Sequence, residues 1–200
     1  GRAPSPFGFP TPRARAWGRG VAGGAVEATR AMGRQVLLIR GGSVAWVDDL
    51  ARVLRATGCA VTQVGASGEP SVTDVRAAVA AGQGAEVVLG VGGGAVIDLA
   101  KAAAALIPSQ RDVMDHLEVV GAGLPLEADP LPMIALPTTA GTGAEVTKTA
   151  VIAATEAARQ VSLRDDRMLR RLALSDPALD EGAPPGGAGD AGVARRGPGG

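Results

Sequence analysis

The chain has few of the residues on which many kinds of site depend. Cys59 is its single cysteine, which excludes both a disulfide within the chain and a zinc site built from cysteines. His116 is its single histidine, so a histidine-rich metal site is also excluded. With no tyrosine, two phenylalanines and two tryptophans, the chain offers no aromatic platform on which nucleic-acid bases could stack.

The chain also lacks an excess of one charge and long apolar runs. Twenty Lys and Arg balance twenty Asp and Glu without a basic block, so we expect no nucleic-acid partner and no membrane partner. No apolar run reaches the roughly 18 residues of a membrane-spanning helix, and the Pro- and Arg-rich start lacks the apolar core of a signal peptide. The sequence therefore predicts a cytoplasmic protein.

The most informative segment covers residues 87–101, which read VVLGVGGGAVIDLAK. A run of β-branched and aliphatic residues predicts a strand, which breaks at Gly92, Gly93 and Gly94 before a helix begins. The glycines let the backbone approach an anion closely, and the free N–H groups at the start of the helix attract it. The segment indicates a phosphate-binding turn, with a tight strand-to-helix turn that binds no ligand as the alternative.

Strands and helices alternate along the chain. The pattern predicts helices over 21–32, 44–57, 71–81 and 95–106, strands over 35–39, 59–64, 87–91 and 131–136, and short strands or a hairpin at 151–152 and 161–163. This order is typical of the α/β class, with a Rossmann-like parallel sheet and flanking helices. Ligands bind such sheets at the carboxyl ends of the strands, so the turn of Gly41, Gly42 and Ser43 should share one edge with Gly92–Gly94.

Composition divides the chain into three parts. Residues 1–20 form an irregular, Pro-rich segment, in which residues 13–17 alternate as an edge strand does. Residues 21–180 are expected to form the α/β domain. Residues 181–200 are rich in Gly and Pro without apolar periodicity, so we expect them to be disordered.

A second segment with hydroxyl groups and glycines follows the strand at 131–136. Residues 137–147 read PTTAGTGAEVT, and Thr142 and Glu145 have the spacing of a capping box. By itself the segment favours a capped loop before a helix. Its place after a strand of the same sheet also fits a ligand shared with the first glycine turn.

Two long motifs in this order, VGGGAVIDLAK and ALPTTAGTGAEVTKTAVI, resemble the iron-containing (group III) alcohol dehydrogenases over roughly residues 7–181. The resemblance implies the architecture of the dehydroquinate-synthase-like superfamily. In that architecture an N-terminal α/β domain binds NAD(P), and an all-helical C-terminal domain holds a divalent metal, Fe²⁺ or Zn²⁺, together with the substrate.

The resemblance also implies cofactor-binding positions. Gly92, Gly93, Gly94 and Ala95 match the pyrophosphate loop, and Asp98 matches the acidic residue near the cofactor. The positions matching further nucleotide contacts, or lying close to them, are Thr138, Thr139, Thr142, Lys148 and Val151.

The turn after the first strand bears on the choice of cofactor. An acidic residue there would accept the ribose 2′-hydroxyl of NAD and repel a 2′-phosphate. This chain has the neutral Gly41, Gly42 and Ser43 beside Arg40, which favours NADP over NAD and permits both.

The chain departs from the family at several positions. Gln160 replaces a lysine that commonly reaches the cofactor, and Ala194 and Pro198 stand where a metal-binding Asp and His are expected. No metal ligand and no catalytic residue is therefore identified, and the helical metal domain is expected to be missing from the chain. Because hydride transfer in this family needs a metal to polarise the alcohol oxygen, we expect the chain alone to be inactive. Without the helical domain we also expect exposed apolar surface and a possible homo-oligomer.

The function that the sequence favours is an NAD(P)-dependent oxidoreductase that interconverts a small alcohol and its aldehyde or ketone. One alternative is an enzyme resembling maleylacetate reductase, a relative that works without metal. The other is a nucleotide-binding module without catalytic activity.

Overall fold

A computed structural model describes residues 21–42, 46–118, 120–138, 149–154, 159–165, 167–168 and 172–174. Its helices are α1 (Val21–Met32), α2 (Trp46–Ala56), α3 (Val72–Ala81), α4 (Gly94–Leu106) and α5 (Val113–His116). Its strands are β1 (Gln35–Gly41), β2 (Ala60–Ala66), β3 (Val87–Gly92), β4 (Met133–Pro137), β5 (Thr149–Ala154), β6 (Arg159–Arg164) and β7 (Leu172–Leu174). The predicted elements are confirmed, with small shifts at their ends.

Five of the described strands form one parallel sheet in the order β2-β1-β3-β4-β7. The register pairs Arg40 with Val91, and Gly92 with Pro137. The carboxyl ends of β1, β3 and β4 therefore meet at one edge, called here the carboxyl edge. This arrangement confirms the Rossmann-like sheet with flanking helices.

Alternate residues of the sheet supply two separate cores, as the two-residue period of a strand requires. Val36 and Leu38 of β1 face α1 and α2. Leu37 and Ile39 of the same strand face α3 and α4. Every residue of β3 and of β4 is buried, whereas β2 at the edge of the sheet is mostly exposed. Apolar layers on both faces are characteristic of a buried parallel sheet.

The strands β5 and β6 form an antiparallel hairpin that packs against α4. Ile152 and Leu163 of the hairpin are almost completely buried in the same core as α4. Helix α4 thus lies between the sheet and the hairpin, and its alanines at 100 and 102–105 allow close packing on both sides. Of the two sequence alternatives for these segments, the hairpin is correct.

The short helix α5 was not expected from the sequence, which predicts a loop after Pro108. Its N-cap is Asp112, whose side chain accepts a hydrogen bond from the Met114 N–H. Asp112 also forms two hydrogen bonds with the Arg76 guanidinium, of 2.8 and 2.7 Å, which attach α5 to α3. Four residues are too few to show helical periodicity, so only the capping aspartate could have indicated this helix.

Several expectations fall on other parts of the chain. The edge strand at 13–17, the capping box of Thr142 and Glu145 and the tail at 181–200 lie outside the described residues. The domain boundaries at 20 and 180 stay predictions.

The expected exposed apolar surface is absent from the described residues, where Leu124 is the only large hydrophobic residue that is exposed. For the rest of the chain the exposed apolar surface stays a prediction. None of the described helices is both long enough and apolar enough to cross a membrane.

Candidate functional site

Where β3 leads into α4, the backbone lies so close to a side chain that only glycine fits. A Cβ added at Gly92 would lie 2.7 Å from Val96 Cγ2 and 2.9 Å from Val96 Cβ. Gly93 is the N-cap of α4, so no side chain caps the start of this helix. Since the first helical hydrogen bond runs from the Ile97 N–H to the Gly93 oxygen, the helix provides no acceptor for the N–H groups of residues 94–96. These groups and the helix dipole make a candidate anion site.

The turn after β1 lies beside this loop. A Cβ added at Gly41 would lie 3.8 Å from Val96 Cγ2, so the turn reaches the first turn of α4. At Gly42, which follows, an added Cβ would meet no atom of the described residues within 4 Å. The two glycine turns therefore meet at the carboxyl edge, as the sequence predicts. Ser43 lies outside the described residues.

Arg40 is held in place beside this turn. Its Nε donates to the Gly41 oxygen at 3.3 Å, and its Nη1 donates to the Asp48 carboxylate and, at 3.4 Å, to Gln63 Oε1. The side chain is 14% exposed. The positive charge at the end of β1 is thus fixed by α2 and β2, and Asp48 is a carboxylate that pairs with it.

Thr138 joins the site from β4. Its N–H donates to the Gly92 oxygen at 3.0 Å, which continues the pairing of β3 with β4 past the end of both strands. The residue is 8% exposed. Its hydroxyl makes no hydrogen bond to the other described residues. The expected contacts Thr139, Thr142 and Lys148 lie outside the described residues.

Asp98 and Val151, which are far apart in the sequence, are in direct contact. The Val151 N–H donates to the Asp98 carboxylate, so α4 is hydrogen bonded to the hairpin. Burial raises the pKa of the Asp98 carboxyl from 3.8 to about 6, although the Lys101 charge and the Val151 N–H act in the opposite direction. Glu69 raises this pKa further through like-charge repulsion. Asp98 therefore titrates near neutral pH.

Lys101 is a residue to which the sequence analysis assigned no role. It lies on α4, three residues after Asp98, and is 2% exposed. Residues with this spacing share one face of a helix. The only sequence signal for Asp98 and Lys101 was their spacing, an acidic and a basic residue three positions apart in a mostly apolar helix.

His116 lies away from this site. Its Nδ1 is 2.9 Å from the Leu124 oxygen, and its Nε2 is 3.4 Å from the Ser109 hydroxyl. Ser109 follows the C-terminal end of α4, about 20 Å along the helix from the glycine loop. The described residues bring together no group of three or more His, Cys, Asp or Glu side chains that could hold a metal ion. They therefore do not fit the metal that the resemblance implies.

These features define the class of the protein as a Rossmann-like α/β domain with a glycine loop at the carboxyl edge of its sheet. Comparison with known proteins then identifies the family. The sequence-family model of the iron-containing alcohol dehydrogenases matches residues 12–177, and the chain belongs to this family.

Relatives and solved structures agree with this assignment. Long-chain-alcohol dehydrogenase 1 of Geobacillus thermodenitrificans is 42% identical over 100 residues, which is 50% of this chain and 25% of that protein. NADH-dependent butanol dehydrogenase A of Thermotoga maritima superposes with a TM-score of 0.68 at 26% identity, covering 80% of this chain and 41% of that one. Sulfoacetaldehyde reductase of Bifidobacterium kashiwanohense, in complex with NAD⁺, gives 0.66 at 29% identity, covering 84% and 45%. The chain spans about a quarter of the first of these proteins and less than half of the two solved chains.

Proposed function

We propose that the carboxyl edge of this domain binds a nicotinamide dinucleotide, and that the protein is an NAD(P)-dependent oxidoreductase acting on a small alcohol or its aldehyde or ketone. The glycine loop before α4 is the observation that carries the proposal. Membership of the family and the nucleotide named for two solved relatives support it.

The pyrophosphate is proposed to lie at the start of α4. The N–H groups of residues 94–96 supply the donors, and Gly92 keeps the space that a Cβ would fill. The Thr138 hydroxyl, buried next to Gly92, is a further donor. Contacts from Thr139, Thr142 and Lys148 are part of the same proposal and rest on the family resemblance.

Asp98 and Val151 are proposed to lie next to the cofactor, on the side of the first turns of α4 that contacts the hairpin. Their hydrogen bond fixes the hairpin beside the helix start. The Asp98 carboxylate then provides a negative charge near the site, which would favour the positively charged oxidised nicotinamide over the reduced form if the ring lies close to it.

The proposed preference for NADP over NAD depends on two residues. Gly41 carries no acidic side chain that would repel a 2′-phosphate. Arg40, held by Asp48 and Gln63 at the end of the same strand, places a positive charge next to that turn. Both features permit NAD, which the solved sulfoacetaldehyde reductase contains.

A divalent metal would supply polarisation of the substrate oxygen in this family. The described residues provide no group of three or more ligands for it. The part of the reaction that these residues can carry out is binding and orientation of the cofactor.

Cofactor binding can be tested by titrating the whole chain with NADPH and with NADH and following nucleotide fluorescence. We expect saturable binding of both, with the tighter affinity for NADPH. Gly92→Ala places a methyl group against Val96 and should weaken binding at least tenfold, or by about 1.4 kcal/mol. Gly24→Ala, a helical position with no atom within 4 Å of the new methyl group, is the matched control and should bind normally. No binding of either nucleotide to the wild type would overturn the proposal.

A further inference from the structure

A cavity of about 180 Å³ lies between α3, the end of α4 and the segment that leads into α5. Its apolar lining is supplied by Val75, Val79, Ala80, Leu106 and Val113. Leu106 is the last residue of α4 and lies about 18 Å along the helix from its first residue. The cavity is therefore a second concave site, separate from the glycine loop.

The floor of this cavity is buried and apolar. Val75, Leu106 and Val113 are at most 3% exposed, and Val79 packs against the same core from a partly buried position. Water is poorly held by such a surface, because an ordered water needs two to four polar partners. An apolar cavity of about 150 Å³ accommodates a molecule of the size of benzene. The floor therefore favours a short hydrocarbon group over water.

The polar part of the lining carries an excess positive charge, because it consists of two arginines and one aspartate. Arg76 and Asp112 are bound to each other by two hydrogen bonds, of 2.8 and 2.7 Å. Asp112 also accepts from the Met114 N–H at 3.1 Å, so its carboxylate is engaged. The guanidinium of Arg111, the second arginine, makes no hydrogen bond to the other described residues. Its planar set of donors matches the two oxygens of a carboxylate.

The backbone of Arg111 is fixed by a carboxylate that is not part of the cavity lining. Glu127 Oε1 accepts from the Arg111 N–H at 2.8 Å and from the Gln110 N–H at 3.0 Å. The same oxygen accepts from the Ser109 hydroxyl at 2.6 Å. Glu127 attracts the Arg111 charge as well, but its Oε1 is already the acceptor of these three hydrogen bonds. The segment that carries Arg111 is thus held in place before any ligand binds, which lowers the entropic cost of binding.

We propose that this cavity binds a small organic acid with a hydrocarbon chain of about six carbons, the size that such a volume accommodates. The carboxylate pairs with the Arg111 guanidinium, and the chain lies on Val79, Leu106 and Val113. The proposal does not rest on the proposed function, because the cavity and the glycine loop share no residue.

Methyl NMR of the whole chain during titration with sodium hexanoate tests this proposal. We expect saturable shifts at the methyl groups of Val75, Val79, Leu106 and Val113. Hexan-1-ol has the same chain without the charge, and its concentration at half-saturation should be about tenfold higher, because it lacks the charge-assisted hydrogen bonds. Acetate, which has the charge without the chain, should also bind about tenfold more weakly, because it buries little apolar surface.

Two substitutions separate the contribution of the charge from that of the space. Arg111→Gln, at an exposed position, should weaken hexanoate binding about tenfold and leave hexan-1-ol binding unchanged. Ala80→Leu, on the exposed side of α3, fills the cavity and should weaken the binding of both compounds about tenfold. Ala77→Leu, which is exposed on the same helix outside the lining, and Arg52→Gln, which removes an exposed ion pair on α2, are the matched controls. Both should bind hexanoate as the wild type does.

Shifts of the cavity methyl groups that stay linear with hexanoate concentration would overturn the proposal. Equal half-saturation concentrations for hexanoate and hexan-1-ol, or unaltered hexanoate binding in Arg111→Gln, would overturn the assignment to an organic acid. The titration contains neither NADPH nor NADH. Failure of the proposed function therefore leaves each of these outcomes unchanged.

Discussion

The Val151 N–H donates a hydrogen bond to the Asp98 carboxylate, which connects the β5–β6 hairpin to the helix that follows the glycine loop. The contact joins residues from two motifs, and helix α5 and strand β4 lie between these residues in the sequence. It places the hairpin beside the candidate anion site. It also makes the ionisation of one carboxyl group relevant to the attachment of the hairpin.

The titration of Asp98 should be visible in the pH dependence of the free energy of unfolding. The pKa of its carboxyl is about 6 in the folded chain and near 3.8 when unfolded, so folding is favoured by this group below about pH 4 and the contribution is lost as pH rises through 6. The unfolding free energy of the wild type relative to Asp98→Asn should therefore fall between pH 4 and pH 7. Urea denaturation of both proteins at these pH values measures it. A difference that stays constant across this range would show that Asp98 titrates normally.

The close crossing of α4 over β3 should make Gly90 intolerant of substitution. A Cβ at Gly90 would lie 2.8 Å from Ala100 Cβ and 3.3 Å from Met133 Cε. Gly90→Ala is expected to lower the free energy of unfolding by about 1–3 kcal/mol. Gly65→Ala, in the open edge strand β2, meets no atom within 4 Å and should change it by less than about 0.5 kcal/mol. Equal urea midpoints for the two variants would contradict this packing.

Helix α3 offers a test of capping, because one hydroxyl residue, Ser71, directly precedes it and another, Thr73, lies in its first turn. In the structure Ser71 accepts from the Asp74 N–H at 3.1 Å, and Asp74 Oδ2 accepts from the Ser71 N–H at 2.8 Å. Ser71→Ala should therefore cost about 1 kcal/mol of stability, measured by thermal denaturation. Thr73→Ala is the control and should be close to neutral. The reverse order would place the start of the helix two residues later.

The pairing of Arg76 with Asp112 should be visible in the titration of that carboxyl group. The hydrogen bonds from Arg76 are the main reason that the pKa of Asp112 is lowered to about 2. Arg76→Gln should raise this pKa towards 3.8, as measured by carbon NMR of the carboxyl group. Both side chains are about half exposed, so the stability lost at neutral pH should be no more than about 1 kcal/mol, and it should vanish as pH falls towards 2. Arg52→Gln, which removes an ion pair with Asp49, should not affect Asp112.

The order of strands and helices could be predicted from the sequence because each long element carries its own periodic pattern. The apolar runs at 35–39 and 87–91 and the glycines that follow them indicated the parallel sheet and the edge where both turns meet. These signals are local, and the register of β1 with β3 confirms the parallel sheet that they predicted.

The contacts within the site could not be predicted in the same way. The hydrogen bond from Val151 to Asp98 depends on where the hairpin packs, and no local pattern gives that position. The pairing of Arg40 with Asp48 and Gln63 likewise requires α2 and β2 to be in place. Helix α5 was missed because a single turn of helix is recognisable only by its cap.

The binding of a dinucleotide at the glycine loop is tested most directly by amide NMR of the whole chain during addition of NADPH. We predict that the largest saturable shifts occur at Gly93, Gly94, Ala95 and Val96, with a further shift at Thr138, and that Gly92→Ala raises the NADPH concentration needed for them at least tenfold. Amide spectra that do not change on addition of NADPH or NADH, or shifts confined to the opposite end of α4 near His116, would contradict the account.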